Sequence, residues 1–193
     1  MWLLVGLGNP GDAYAGSRHN IGFMVLEALA KPSDWTHDEV LEADIAKGRL
    51  GATPVLFLKP QTFMNISGRA VGKAKARHKI KPEHIIVVHD DIDLPLGALK
   101  ITFGRGSGGH RGVESVVRGI RTKNFTRVRV GVTPTTPAGK LRKPRGDTAV
   151  TSFIVGVFKK SESEIIKKSV KRVASALEMI VTEGRQRAMN GYN

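Results

Sequence analysis

The 193-residue chain contains no cysteine. That excludes disulfides, thiol nucleophiles and Cys-ligated zinc, and it fits a reducing compartment. No apolar run approaches the roughly 20 residues that cross a bilayer. No signal or transit peptide is expected, because the first motif begins at residue 5. No G-x-S-x-G occurs, so the usual elbow of a serine hydrolase is missing. Acidic residues are scarce in one half only. Residues 1–99 carry 11 Lys/Arg and 11 Asp/Glu, whereas residues 100–193 carry 20 and 6, so the whole formal charge of +14 lies in the second half. A one-sided excess of that size points to a polyanionic partner, nucleic acid first. A basic surface that binds nothing and an anionic membrane are the alternatives.

What is present is ordinary for a globular protein: 40% hydrophobic and 25% charged residues, in a length that suits one domain with a substantial core. Leu3–Gly6 reads as a short buried strand, and Asn20–Leu29 has helical spacing at Ile21, Met24, Val25 and Leu29, stopped by Pro32. Residues 44–50 and 55–58 flank Gly51-Ala-Thr-Pro54 as a hairpin would. Residues 67–78 suit a basic surface helix. Ile85-Ile-Val-Val88 is a continuous apolar run, the pattern of a strand buried on both faces, and it ends in His89-Asp90-Asp91-Ile-Asp93. Further strands are expected at 99–103 and 128–132, with a helix over 113–120 between them. Ser161-Glu-Ser-Glu164 is a capping-box sequence opening a helix striped by Ile166, Val170, Val173, Leu177 and Ile180. Between these, residues 133–147 hold three prolines and Lys140, Arg142, Lys143 and Arg145, which reads as an exposed loop or lid. Strands alternating with helices give a single α/β domain, residues 1–193, with a mixed, mostly parallel twisted sheet surrounded by helices.

Residues 5–20, Val-Gly-Leu-Gly-Asn-Pro-Gly-Asp-Ala-Tyr-Ala-Gly-Ser-Arg-His-Asn, carry the most chemistry. A strand end followed by a loop is where an α/β protein places reactive groups. His19 suits a general base, and Asn9 and Asn20 suit the orientation of a substrate; a plain helix cap is the structural alternative for a lone histidine there. Gly6-Leu-Gly8-Asn-Pro-Gly11 matches the dinucleotide pattern G-x-G-x-x-G, but the helical pattern waits until Asn20 and the candidate acid, Asp34, sits in a turn. Residues 68–74 fall one glycine spacing short of a phosphate loop. Asp90, Asp91 and Asp93 offer a cation site only weakly, for want of a second ligand cluster. Gly104-Arg-Gly-Ser-Gly-Gly-His-Arg-Gly112 combines backbone freedom with Arg105, His110 and Arg111, which suits a ribose-phosphate backbone.

Taken together, Val5-Gly-Leu-Gly-Asn-Pro-Gly11 with Tyr14, Arg18-His19-Asn20, Lys59-Pro-Gln-Thr-Phe-Met-Asn65, His89-Asp90 through Leu94-Pro95, and Gly108-Gly-His110 resemble the bacterial-type peptidyl-tRNA hydrolases, in order and spacing. The resemblance implies an esterase that cuts between a nascent peptide and the 3′-terminal ribose of tRNA, recycling tRNA from stalled translation. It implies a cytoplasmic monomer without metal or cofactor, an organellar setting remaining open. By position it makes His19 the base that activates water and Asp90 its orienting partner. Asn9 and Asn65 would hold the peptide and the charged oxygen, Met64 and His110 would line the cleft, and Arg129 would grip the tRNA; Tyr14 joins them as a binding residue. Two departures stand out: Arg111 replaces the usual Asn, and Thr102 replaces a lysine that grips the tRNA 5′ phosphate in many members. Arg111 is therefore expected to bind the tRNA acceptor end in compensation. A non-catalytic RNA-binding relative, such as an organellar splicing partner, is the alternative.

Overall fold

The computed structural model describes residues 1–193. Its strands are β1 (Trp2–Gly6), β2 (Thr36–Asp38), β3 (Ala43–Leu50), β4 (Thr53–Pro60), β5 (Ile85–Pro95), β6 (Leu99–Phe103) and β7 (Thr126–Thr133). They form one sheet in the order β2-β3-β4-β1-β5-β7-β6. The four central strands run parallel, and antiparallel pairing is confined to the margins: β2 on β3 and β3 on β4 at one side, β6 on β7 at the other. Leu3, Leu4 and Val5 in β1 and Ile85–Val88 in β5 are fully buried, as continuous apolar runs between two helical layers must be.

Helices α1 (Ile21–Glu27), α5 (Ser163–Glu183) and α6 (Arg185–Tyr192) share a core with one face of the sheet, and α2 (Gly68–Arg77) and α3 (Arg111–Ile120) with the other. The remaining helix, α4 (Asp147–Val155), buries no residue completely and lies against the segment that carries His19. Because the connection after β1 runs over one face and that through α3 over the other, the adjacent strands β1 and β5 open a crevice at their carboxyl ends. That is the position at which such sheets bind ligands.

The first glycines close this crevice from behind. A Cβ on Gly6 would sit 2.3 Å from the Gly22 carbonyl oxygen, and one on Gly22 would sit 2.4 Å from the Leu7 nitrogen. Only bare backbone lets α1 start this close to β1. The glycines thus serve helix packing rather than a dinucleotide, in keeping with a helix that opens only at Ile21.

Several expectations change in detail. β5 continues through Asp90 to Pro95, with a register shift against β7 between Asp91 and Pro95, so His89 and Asp90 lie within the strand. The Ser161 capping box does not form: a 3-10 turn occupies Lys160–Glu162, and the Lys159 N–H donates to Glu162 instead. Three of the four basic residues of α2 meet acids: Arg69 and Lys73 share Glu42, and Arg77 bonds Asp38 at 2.7 Å, whereas Lys75 has no acidic partner. Helices α4 and α6 have no signature in the sequence as separate elements.

Candidate active site

A cleft of about 410 Å³ opens where β1 and β5 end, lined among others by Asn9, His19, Met64, Asn65, Asp90, His110 and Arg111. His19 reaches it from a 3-10 turn, Arg18–Asn20, that leads directly into α1. This turn is anchored on three sides. Arg18 is buried, its guanidinium on the Glu162 carboxylate at 2.8 Å and between the Phe153 and Phe158 rings at 4.7 and 4.9 Å. Asn20 exchanges two hydrogen bonds with the backbone of Asn9, each 2.9 Å. Asn20 therefore fixes Asn9 rather than a substrate, a change from the expected role.

His19 Nδ1 lies 2.7 Å from Asp90 Oδ1. Against a carboxylate this nitrogen carries the proton, which leaves Nε2 with its lone pair free to accept one. Burial alone would raise the Asp90 carboxyl. The His19 and His110 imidazoles beside it win, and they hold it well below the usual carboxylate range. Asp90 is thus an anion at neutral pH with an imidazole edge fixed against it. His110 shares the same oxygen at 2.9 Å.

The three aspartates of β5 have separate partners. Asp90 takes the histidines, Asp91 takes Arg129 Nε at 2.5 Å, and Asp93 takes Lys143. No two carboxylates converge. His19, Asp90 and His110 do bring three ligand-type atoms within 4.8 Å of one another, but their N···O separations are those of hydrogen bonds.

Asn9 Oδ1 accepts the Met64 N–H at 2.8 Å, which leaves its Nδ2–H₂ as the group able to donate in the cleft. Met64 is buried and Asn65 exposed, both on the 3-10 turn Met64–Ile66. His110 precedes α3, and Arg111 is its first, exposed residue. Two expected residues lie elsewhere. Tyr14 is half-buried in the 3-10 turn Asp12–Tyr14 and does not line the cleft. Arg129 lies on β7 and lines a second groove of about 630 Å³ with Lys100, Thr102, Arg105, Arg127 and Arg185. Ser107 and Gly108 border both spaces, so the groove adjoins the cleft across the glycine-rich loop.

A model of the peptidyl-tRNA hydrolase family matches residues 3–193. The chain belongs to the peptidyl-tRNA hydrolase family. It is 39% identical to a peptidyl-tRNA hydrolase of Dehalococcoides mccartyi over the full length of both chains. It is 37% identical to that of Aquifex aeolicus, with 99% of this chain and 95% of the relative covered. The crystal structure of the Acinetobacter baumannii peptidyl-tRNA hydrolase superposes with a TM-score of 0.88 at 31% identity, covering all of this chain and 94% of that one.

Within this peptidyl-tRNA hydrolase fold, three features have roles that the sequence does not announce. Glu162 reads as part of a cap, yet it holds Arg18. Helix α4 supplies a cleft wall through Val150, Thr151 and Ile154. His89 is buried, its Nδ1 donating to the Asp90 carbonyl at 2.7 Å and its ring edge-on to His110 at 4.6 Å. Burial, followed by the neighbouring His110, pushes His89 well below the usual imidazole range. The signal available for His89 is its place beside Asp90 at the end of an apolar strand.

Proposed function

We propose that the chain hydrolyses the ester joining the peptide to the 3′-terminal ribose of peptidyl-tRNA, with His19 as general base. The observation that carries this reading is the His19–Asp90 pair at 2.7 Å, facing a cleft that also holds Asn9 and Asn65. His19 Nε2 takes a proton from water as the oxygen attacks the ester carbonyl, and Asp90 stabilises the imidazolium that forms. Negative charge on the carbonyl oxygen is met by the carboxamide donors of Asn9 and Asn65. As the tetrahedral intermediate collapses, the imidazolium returns its proton to the departing ribose oxygen. The chemistry balances with water alone and uses no metal.

The RNA lies towards the basic half, where Arg129, Arg105 and Lys100 line the groove beside the cleft. These side chains suit phosphate, and the shared border at Ser107–Gly108 keeps the ester end near His19. Tyr14, away from the cleft, is left to contact substrate outside it. No helix is long and apolar enough to cross a membrane. The family resemblance supports a monomer acting in the cytoplasm, where tRNA is recycled.

The test is release of peptide from purified peptidyl-tRNA by this protein alone, with and without EDTA. Release unaffected by the chelator is expected. RNA binding with no release would favour the non-catalytic alternative.

A further inference from the structure

Helix α3 begins with an imidazole as its cap: the Val113 N–H donates to His110 Nδ1 at 3.3 Å. A backbone N–H can only donate, so Nδ1 presents a bare lone pair and the proton of the neutral ring sits on Nε2. That nitrogen lies 2.9 Å from Asp90 Oδ1, the oxygen that also receives His19 Nδ1–H at 2.7 Å. One carboxylate oxygen thus takes two N–H donors from fixed directions. Moving the His110 proton to Nδ1 would set two donors against each other at the helix start. It would also set a lone pair against the Asp90 anion. Of the titratable groups lining the cleft, Asp91, Asp93, Arg111 and Asp147 make no hydrogen bond to His110, and His89 meets it only through its ring.

We propose that the N-terminus of helix α3 sets the tautomer of His19, acting through His110 and Asp90. The Val113 N–H orients His110, His110 Nε2–H holds the Asp90 carboxylate, and the carboxylate keeps the His19 proton on Nδ1. His110 is a positioning residue in this chain. The proposal rests on the reading of His19 as the base, because only the Nδ1–H tautomer leaves Nε2 bare towards the cleft.

Imidazole ¹⁵N NMR on the full-length chain reads both tautomers without reference to activity. The wild type is expected to show His110 protonated on Nε2 alone and His19 on Nδ1 alone. Val113→Pro removes the donor at the third residue of α3, where the N–H has no intrahelical acceptor to lose. Val113→Ala keeps the donor while removing side-chain volume. In Val113→Ala both tautomers and kcat should persist. In Val113→Pro the His110 proton should spread over both nitrogens, the His19 proton should follow, and kcat should fall roughly tenfold with little change in KM. A second pair keeps the test open should Val113→Pro fail to fold. His110→Asn can both accept the cap and donate to Asp90, so the His19 tautomer should survive, whereas His110→Phe should lose it. A wild-type His110 carrying its proton on Nδ1, or identical tautomers in Val113→Pro and Val113→Ala, or in His110→Asn and His110→Phe, would overturn the proposal. Failure of the base assignment is distinguishable: a fully active His19→Ala would leave the His110 tautomer as predicted.

Discussion

Arg18 and Glu162, 144 residues apart in the chain, meet at 2.8 Å with both side chains buried. The pair clamps the turn that carries His19 to the segment between α4 and α5. Removing one partner from a buried pair strands the other charge, at a typical cost of about 3–5 kcal/mol. Glu162→Gln should therefore lower stability strongly, as read by denaturant midpoint. Arg18→Met with Glu162→Leu should recover part of that loss: it strands no charge, although the Lys159 N–H and the Val132 carbonyl lose a partner. A Glu162→Gln protein as stable as wild type would show that the pair does not hold the turn.

Loss of the base should be felt in turnover and not in binding. His19→Ala is expected to lower kcat by on the order of 10²–10⁴, the usual contribution of a positioned proton acceptor. KM should change little, because His19 is proposed to act on water. Asp90→Asn should also slow the reaction, since it removes the charge that favours the imidazolium. Near-wild-type single-turnover rates for His19→Ala would end the proposed mechanism.

His89 makes the fold sensitive to mild acid. Its folded form is neutral and pushed well below the ordinary imidazole range, whereas in the unfolded chain it takes up a proton near pH 6.5. The unfolded state therefore binds more protons below that point. The stability His89 contributes is present above about pH 6.5 and is lost as pH falls, by about 1.4 kcal/mol per unit, until the folded value is reached. His89→Gln should flatten the stability–pH curve below about pH 6.5 relative to wild type. Parallel curves for the two proteins would contradict this account.

RNA affinity should fall steeply with salt, because each neutralised phosphate releases counterions. Charge reversal at Lys100 or Arg185, which line the groove, should weaken tRNA binding and reduce the log–log salt slope by about 1 for each phosphate left without its cation. Reversal at Lys31 or Lys47, in the neutral half, should do neither. Filter binding across a salt series decides the matter, and equal effects from both sets would place the RNA elsewhere.

Arg111 is exposed at the start of α3 and borders the cleft, so it can reach substrate without touching the His19–Asp90 pair. Arg111→Asn should raise KM for peptidyl-tRNA on the order of tenfold, the scale of one charge-assisted hydrogen bond, and leave kcat near wild type. Unchanged KM would mean that Arg111 does not compensate for Thr102.

What the sequence decided by itself was local or periodic. The apolar runs at β1 and β5 called for a sheet covered on both faces, because successive side chains point to opposite faces and an uncovered face would leave half of them in water. The stripe of Ile166, Val173, Leu177 and Ile180 fixed the buried face of α5, leaving Lys167, Lys168, Lys171 and Arg172 outside. The motifs around His19, Asn65, Asp90 and His110 were legible because their residue types and order match a family. Tertiary structure alone decided how the charges pair. Glu162 looks like a helix cap in the sequence, and only the fold sets it against Arg18. Arg129 and the cleft residues belong to one proposed substrate site, yet strand order places Arg129 in a separate groove on the far side of the glycine-rich loop. Helix α4 carries no sequence signature because it buries no complete face; it serves as a cleft wall and, through Phe153, as packing for Arg18. Periodicity records which face of an element is covered, whereas which distant charge meets which depends on strand order and register, and neither is written in any single segment.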